Sequence, residues 1–428
     1  MTLRRLLLQW ALGAVIAVGL VVAGLWYLEE REGGIEASAT TTAPPAATTT
    51  TSTTTTSSTT TTIPIVPVGS PTEPDPEPPA PPPGIDPDFA GTGVVTIAAG
   101  GADLSTEIGG VPFARAREGL VFAGQSMSAD GEWIEVFTTC DETAWVRAGE
   151  VAATAPAPGA AIGAGFDFGQ AVVVVDPGHG GPNNIGAVGP DDLLEKEVNL
   201  DIARRLRDLL AAPRVVDWDT GEIFTGSDIP AAARVILTRV GEGEAGDYEA
   251  GIHFRAALAN AANATVLVSI HNNAGWEITL DTAGSDVFYQ SQNPESRRLA
   301  RIMVEEFRRG FDEFAADWVG AVVVGAKSRL SPGDGASQYY GVLRRTQPPA
   351  VIAEGAYIAN PTEAALLRTP EFREAYAAAV YRSLVRFLTS DDNGDGPSFD
   401  PEVWHGDAGG GAATTTCHIP AQGETPGQ

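Results

Sequence analysis

Hydrophobic and polar positions follow three different rhythms along the chain. An uncharged apolar run covers 6–28, after Arg4 and Arg5 and before Glu29, Glu30 and Arg31. At about 23 residues it is long enough to cross a hydrocarbon core of ~30 Å as a helix. The basic flank stays inside, so the rest of the chain is expected outside. From 88 to 152 short apolar runs such as GVVTIA, GLVFAG and EWIEVF alternate with Gly and Asp. That pattern predicts a small all-β domain. From 171 to 390 strand-like runs at 172–176, 235–239, 266–270, 286–289 and 350–354 alternate with helical patterns. Val198, Ile202, Leu206 and Leu210 share one helical face, as do Phe372, Tyr376, Val380, Leu384 and Leu388. The predicted fold class is α/β: a mostly parallel sheet covered by helices on both faces, preceded by the all-β domain and an N-terminal transmembrane helix. In open sheets of this kind ligands bind at the carboxyl ends of the strands.

The remaining segments divide the chain. Residues 1–28 form the membrane anchor or signal segment, and 29–87 a Thr/Pro-rich disordered linker unable to bury apolar surface. The β domain (88–152), a Gly/Ala/Pro linker (153–170), the α/β domain (171–390) and an acidic, Gly-rich tail (391–428) follow. Within the tail, DDNGDGPSFDPE matches a calcium-loop pattern through Asp391, Asn393, Asp395, Gly396 and Glu402. Pro397 and Pro401 fit that loop poorly, so a disordered tail is the leading expectation and bound Ca2+ the lesser one.

Composition narrows the partners. A formal net charge of −28 excludes nucleic acid, which is held by clustered Lys and Arg. Two cysteines, Cys140 and Cys417, lack metal-ligand spacing, which excludes a thiolate zinc site and leaves a single disulfide or two free thiols.

The candidate chemistry stands at strand ends. His179 follows the run VVVVDPGHGG, His271 follows VLVSI, and Glu354 closes AVIAE. Glu195 and Glu197 open the helix after the His179 loop, and spacing alone does not choose between them. Two neutral imidazoles and a carboxylate are a common ligand set for catalytic zinc. Such an ion lowers the pKa of water from ~15.7 to roughly 7. A further carboxylate can shuttle the proton to a leaving amine. Asn272 and Asn273 after His271 are candidates for ligand orientation or substrate binding, against a plain turn role. Arg239 and Arg255 are read as structural ion-pairing groups before substrate contacts. His253, His405 and His418 have ordinary surroundings.

VVVVDPGHGG, EKEVNLDIARRL, VILTR, ANAANATVLVSIHNNA and LRRTQPPAVIAEGAYIAN occur in the order seen in a known family. Over 171–388 the chain resembles the zinc-dependent N-acetylmuramoyl-L-alanine amidases of the type-3 group. The resemblance implies one Zn2+ held by His179, Glu195 and His271, with Glu354 as the catalytic carboxylate. It implies hydrolysis of the amide joining N-acetylmuramic acid to L-alanine in peptidoglycan, during wall remodelling or cell separation. It also leaves room for a protein regulator. The stretch DGEWIEVF…TAWVRAGEV resembles bacterial SH3-like domains through Trp133, Trp145 and the turn at Asp130-Gly131. Trp133 and Trp145 are expected in its core, with lining of a wall-peptide groove as the other reading.

The connection 217–232 and the segment 311–340 are long for that family and are candidates for a lid or a substrate wall. Two other functions stay open at this stage. One is a zinc peptidase acting within the stem peptide, and the other a non-catalytic cell-wall-binding protein.

Overall fold

The computed structural model of the chain describes residues 93–240, 250–275, 278–320, 324–405 and 419. The chain divides into two units, Met1–Glu77 and Pro78–Gln428, and the described residues all fall in the second. The expected anchor (1–28) and the 29–87 linker lie outside them. Among the described residues no helix is long and apolar enough to cross a membrane.

Seven strands form one antiparallel sheet: β1 Gly93–Ile97, β2 Ala102–Ser105, β3 Pro112–Ala116, β4 Val121–Met127, β5 Trp133–Phe137, β6 Thr143–Arg147 and β7 Val151–Thr154. Their order is β3-β2-β6-β5-β4-β1-β7. Period-two alternation decides what each face carries. Ile134 and Val136 on β5, with Ala144 and Val146 on β6, are buried. Trp133 and Trp145 take the opposite parity and lie half-buried on the outer face, with the Arg147 guanidinium 4.5 Å from the Trp133 ring. The expectation that both tryptophans are core is therefore corrected.

The central sheet has six strands: β8 Val172–Pro177, β9 Arg234–Leu237, β10 Val266–Asn273, β11 Asp286–Tyr289, β12 Ala326–Lys327 and β13 Ala350–Tyr357. Their order is β9-β8-β10-β13-β11-β12. β9, β8, β10 and β13 are parallel, whereas β11 runs antiparallel to β13 and carries β12 parallel to itself. Val172 to Val175 are at most 3% exposed because β8 is covered on both sides. Burial of each such side chain contributes about 1.5–3 kcal/mol.

Six α-helices occur among the described residues: α1 Glu195–Leu210, α2 Ile252–Ala261, α3 Pro294–Phe311, α4 Gly341–Arg345, α5 Pro361–Leu367 and α6 Pro370–Thr389. Leu206 of α1, Phe307 of α3 and Tyr376 of α6 share a core with Val173 and Val175 on one face of the sheet. The other face is not covered by helices alone. Val172 and Val174 share their core with Phe254 and Leu258 of α2, and with Val95, Phe122 and Val136 of the seven-stranded sheet. That small sheet is thus an extra layer over α2.

Segments expected to be loose are packed. In the linker, Phe168 is 2% exposed, and Gly163 N–H donates to Leu388 O at 2.9 Å. The start of the tail pairs with the edge of the central sheet. Phe399 N–H donates to Ala326 O at 2.9 Å, and Glu402 and Val403 lie parallel to Arg329 and Leu330. Asp391 accepts Ala164 N–H at 2.9 Å, while Asp392 turns to Arg386. Among the described residues, His179, Glu195 and His271 are the one group that could hold a metal ion. Cys140 is disulfide-bonded, and the other cysteine, Cys417, lies outside the described residues.

Candidate metal centre

The carboxyl ends of β8 and β10 and the first residue of α1 meet at one point. The His179 Nε2 atom lies 3.1 Å from Glu195 Oε2, and His271 Nδ1 lies 3.1 Å from Glu195 Oε1. All three ligand atoms fall within 4.8 Å of one another. Metal–ligand bonds of 2.0–2.1 Å in a tetrahedron put neighbouring donors about 3.3 Å apart. Two nitrogens and a carboxylate at this spacing fit a divalent ion such as zinc. Glu197 is exposed while Glu195 is 3% exposed, so the helix itself makes the choice that spacing left open.

Two of the three candidate ligands, His179 and Glu195, are held from behind. His179 adopts a positive φ of 64°, a left-handed geometry costing roughly 1–2 kcal/mol in a residue with a Cβ. Two partners fix it there: Asn184 Oδ1 lies 2.8 Å from its Nδ1, and Arg255 donates to its carbonyl at 2.7 Å. With Asn184 accepting, Nδ1 carries the proton and Nε2 presents its lone pair to the ligand cluster. Glu195 accepts Ala187 N–H at 2.8 Å, Asn272 N–H at 3.1 Å and the Asn199 side-chain amide at 3.2 Å. Two glycines leave the necessary room. A Cβ at Gly178 would collide with the His271 imidazole, and one at Gly186 would sit 2.6 Å from Glu195 Oε2.

The loop between β8 and His179 hangs on buried charge. Asp176, 1% exposed, accepts hydrogen bonds from Ser269 (2.6 Å) and Thr238 (2.5 Å) and pairs with Arg255. Burial opposes its ionisation, yet Arg255 and the two hydroxyls hold its pKa below the usual carboxylate range. Arg239, fully buried, donates to Pro177 O at 3.1 Å, Gly178 O at 3.0 Å and Lys196 O at 2.7 Å. Arg255 makes a structural ion pair, as read from the sequence, and Arg239 grips backbone carbonyls.

Glu354 lies opposite His271 in the β10–β13 register. As a residue it is half-buried, but its Oε2 is covered and has no hydrogen-bond partner. Burial, then the charges of Glu195 and Asp286, push its pKa well above the ordinary value, and Arg329 offsets part of this. Asp286, opposite Glu354 on β11, pairs with Lys327 at 2.8 Å and accepts the Tyr357 hydroxyl at 2.9 Å. Lys327 and Arg329 belong to the 311–340 segment, which therefore borders the site. The 217–232 connection does not. Ala232 N–H bonds Leu210 O at the far end of α1, roughly 22 Å from Glu195 along the helix. A cavity of about 600 Å³ lined by Gly221, Arg309 and Glu374 lies at that remote end too.

Asn272 is 2% exposed, and its amide donates to Asn199 Oδ1 at 2.9 Å, so it sits beneath the ligands. The Asn273 amide reaches Asp286 Oδ2 at 3.4 Å. Sequence reasoning missed Asn184, Asn199, Asp286 and Tyr376. Asn199 was accessible to it, being four residues after Glu195 on one helical face. The Tyr376 hydroxyl lies 2.9 Å from His271 O and 2.8 Å from Ala353 O, and accepts Gly355 N–H at 2.9 Å.

Comparison with known proteins adds identity by descent. Residues 173–221 and 225–386 match the family model described as N-acetylmuramoyl-L-alanine amidase. The germination-specific N-acetylmuramoyl-L-alanine amidase of Bacillus subtilis is 28% identical over 232 residues, 53% of this chain and 82% of that protein. The N-acetylmuramoyl-L-alanine amidase AmiC of Neisseria meningitidis serogroup B is 26% identical over 263 residues, 55% of this chain and 56% of its own length. Among solved structures, an N-acetylmuramoyl-L-alanine amidase from Clostridium difficile 630 aligns with 52% of this chain and 98% of its own, at 24% identity and a TM-score of 0.38.

Proposed function

Through residues 173–221 and 225–386 the chain belongs to the N-acetylmuramoyl-L-alanine amidase family, and on that premise we propose that it is a zinc-dependent hydrolase of the amide between N-acetylmuramic acid and L-alanine in peptidoglycan. The observation that carries the reading is the convergence of His179, Glu195 and His271, with Glu354 opposite His271. Those three residues would hold the ion. Zinc there supplies a Lewis acid that polarises the scissile carbonyl and acidifies water.

The chain's own groups do the rest. Glu354 takes a proton from the attacking water, whose oxygen bonds to the carbonyl carbon. The carbon–nitrogen bond then breaks, and Glu354 returns the proton to the departing L-alanine amine. A carboxyl whose pKa is raised by burial suits both halves of that transfer. Asn184 and Asn199 keep the ligand donors aimed, which leaves little reorganisation for the reaction to drive.

The uncharged run at 6–28 supports a tether to the membrane, or export through it, with the enzyme on the outer side. The outward Trp133 and Trp145 support wall contact by an SH3-like β domain. Wall remodelling or cell separation is the role that fits both.

The test is digestion of purified peptidoglycan by the zinc-loaded chain, with products read by mass spectrometry. Free stem peptides with L-alanine at their amino end are expected. Cleavage elsewhere in the stem would reassign the chain as a zinc peptidase. Bound zinc with no cleavage would make it a non-catalytic wall-binding protein.

A further inference from the structure

We propose that Asp141, in the small β sheet, is a positioning residue for the metal-ligand loop, acting through α2 and Arg255. The proposal rests on the reading that His179, Glu195 and His271 hold zinc. Asp141 lies in the β5–β6 hairpin, and its φ of 60° turns its side chain onto a helix more than a hundred residues away. Its two carboxylate oxygens accept the N–H groups of Phe254 (2.7 Å) and His253 (3.2 Å) in the first turn of α2. Helix α2 has no cap of its own, because the residue before it is Gly251, and a Cβ there would collide with the Asp141 carboxylate. Beside this cap, Gly251 N–H donates to Thr139 O at 2.8 Å. The hairpin thus performs the task that Ser, Thr or Asp performs locally in other helices.

The residue after Phe254 is Arg255. Its guanidinium grips Asp176, Pro177 O (2.9 Å) and His179 O (2.7 Å). The route from Asp141 to the ligand His179 is therefore one helical turn and one side chain. His179 sits in strained left-handed geometry, so it needs the grip that Arg255 supplies. If the first turn of α2 frays, Arg255 loses its anchor, and the His179 loop relaxes away from Glu195.

The experiment compares the full chain with Asp141→Gly and Asp141→Asn. Glycine keeps the positive φ at no steric cost and removes the cap, so the variant is expected to fold. Asparagine keeps the φ and one of the two capping oxygens, the one that faces Phe254 N–H. Zinc affinity, read by competition with a chromophoric chelator, is expected to fall about tenfold in Asp141→Gly and to stay within about twofold in Asp141→Asn. Amide exchange across 176–181 in the metal-free chain is expected to quicken about tenfold in the glycine variant alone. Native affinity and exchange in Asp141→Gly overturn the proposal and leave the metal reading intact. Equal losses in both variants overturn the capping route in favour of the charge. A native chain that binds no zinc overturns the metal reading, and the exchange rates then decide the mechanical link.

Discussion

His271 and Glu354 are register partners on adjacent parallel strands, β10 and β13. Neighbouring strands lie roughly 4.8 Å apart, so the pairing holds the His271 imidazole and the Glu354 carboxyl, the proposed ligand and the proposed proton carrier, side by side without any loop motion. Replacing Glu354 by Gln keeps the shape and removes the proton carrier. Zinc content is expected to stay at the native level, while release of L-alanine-ended peptide falls about 10²–10⁴-fold. Metal analysis and product mass spectrometry on the same sample check it, and undiminished release would remove Glu354 from the mechanism.

Gly178→Ala is expected to do the opposite. A methyl group there collides with the His271 ring, which must shift off the ligand cluster. Displacement on the order of 1 Å costs about a hundredfold in activity. Loss of zinc binding should accompany it, with far-ultraviolet circular dichroism unchanged. A variant that binds zinc as tightly as the parent would show that His271 is not a ligand.

Tyr376→Phe isolates the strand ends. The β10–β13 register shifts between His271 and Asn273, and the Tyr376 hydroxyl bonds backbone groups of His271, Ala353 and Gly355 around that irregularity. Its removal leaves buried backbone groups unpaired and should cost about 1–3 kcal/mol of stability. The kcat is expected to fall about tenfold with zinc affinity retained. Denaturant unfolding and steady-state kinetics measure the two effects.

Stability should also depend on pH through Glu363. This carboxyl is fully buried, and burial raises its pKa to about 7 although it accepts Val319 N–H and Tyr357 N–H, both at 2.6 Å. The folded chain therefore keeps the proton that the unfolded chain gives up near the ordinary glutamate value of 4.5. The stabilisation is complete below the unfolded pKa and is lost as pH rises through the folded one, by about 3 kcal/mol at most. Urea unfolding from pH 4 to 8 should show this decline in the parent and a flatter profile in Glu363→Gln. Parallel profiles for the two chains would contradict it.

The sequence reveals those parts of the fold that rest on local pattern. The run at 172–175 is apolar at both parities, which only a strand covered on two faces accommodates, and so its end marks the site. His179, His271 and Glu354 are legible for that reason. Trp133 and Trp145 were misjudged through size, since large aromatics suggest a core. The parity shared by Trp133, Glu135 and Phe137 carried the correct signal. Contacts between distant segments leave no such trace. Nothing near Asp141 announces a helix end at Phe254, and nothing in PSFDPEV announces a strand. Prolines there argue against a ladder until the partner edge is known to be open.

That open edge gives the end of the described chain a further significance. The bonds from 397–404 to Ala326, Ser328 and Leu330 occupy backbone groups that would otherwise face water at the rim of the central sheet. Bare rims recruit strands from other copies, which is how many β proteins precipitate. Shortening the chain ahead of Pro397 would leave His179, Glu195 and His271 in place, yet it would trade a covered sheet edge for a sticky one.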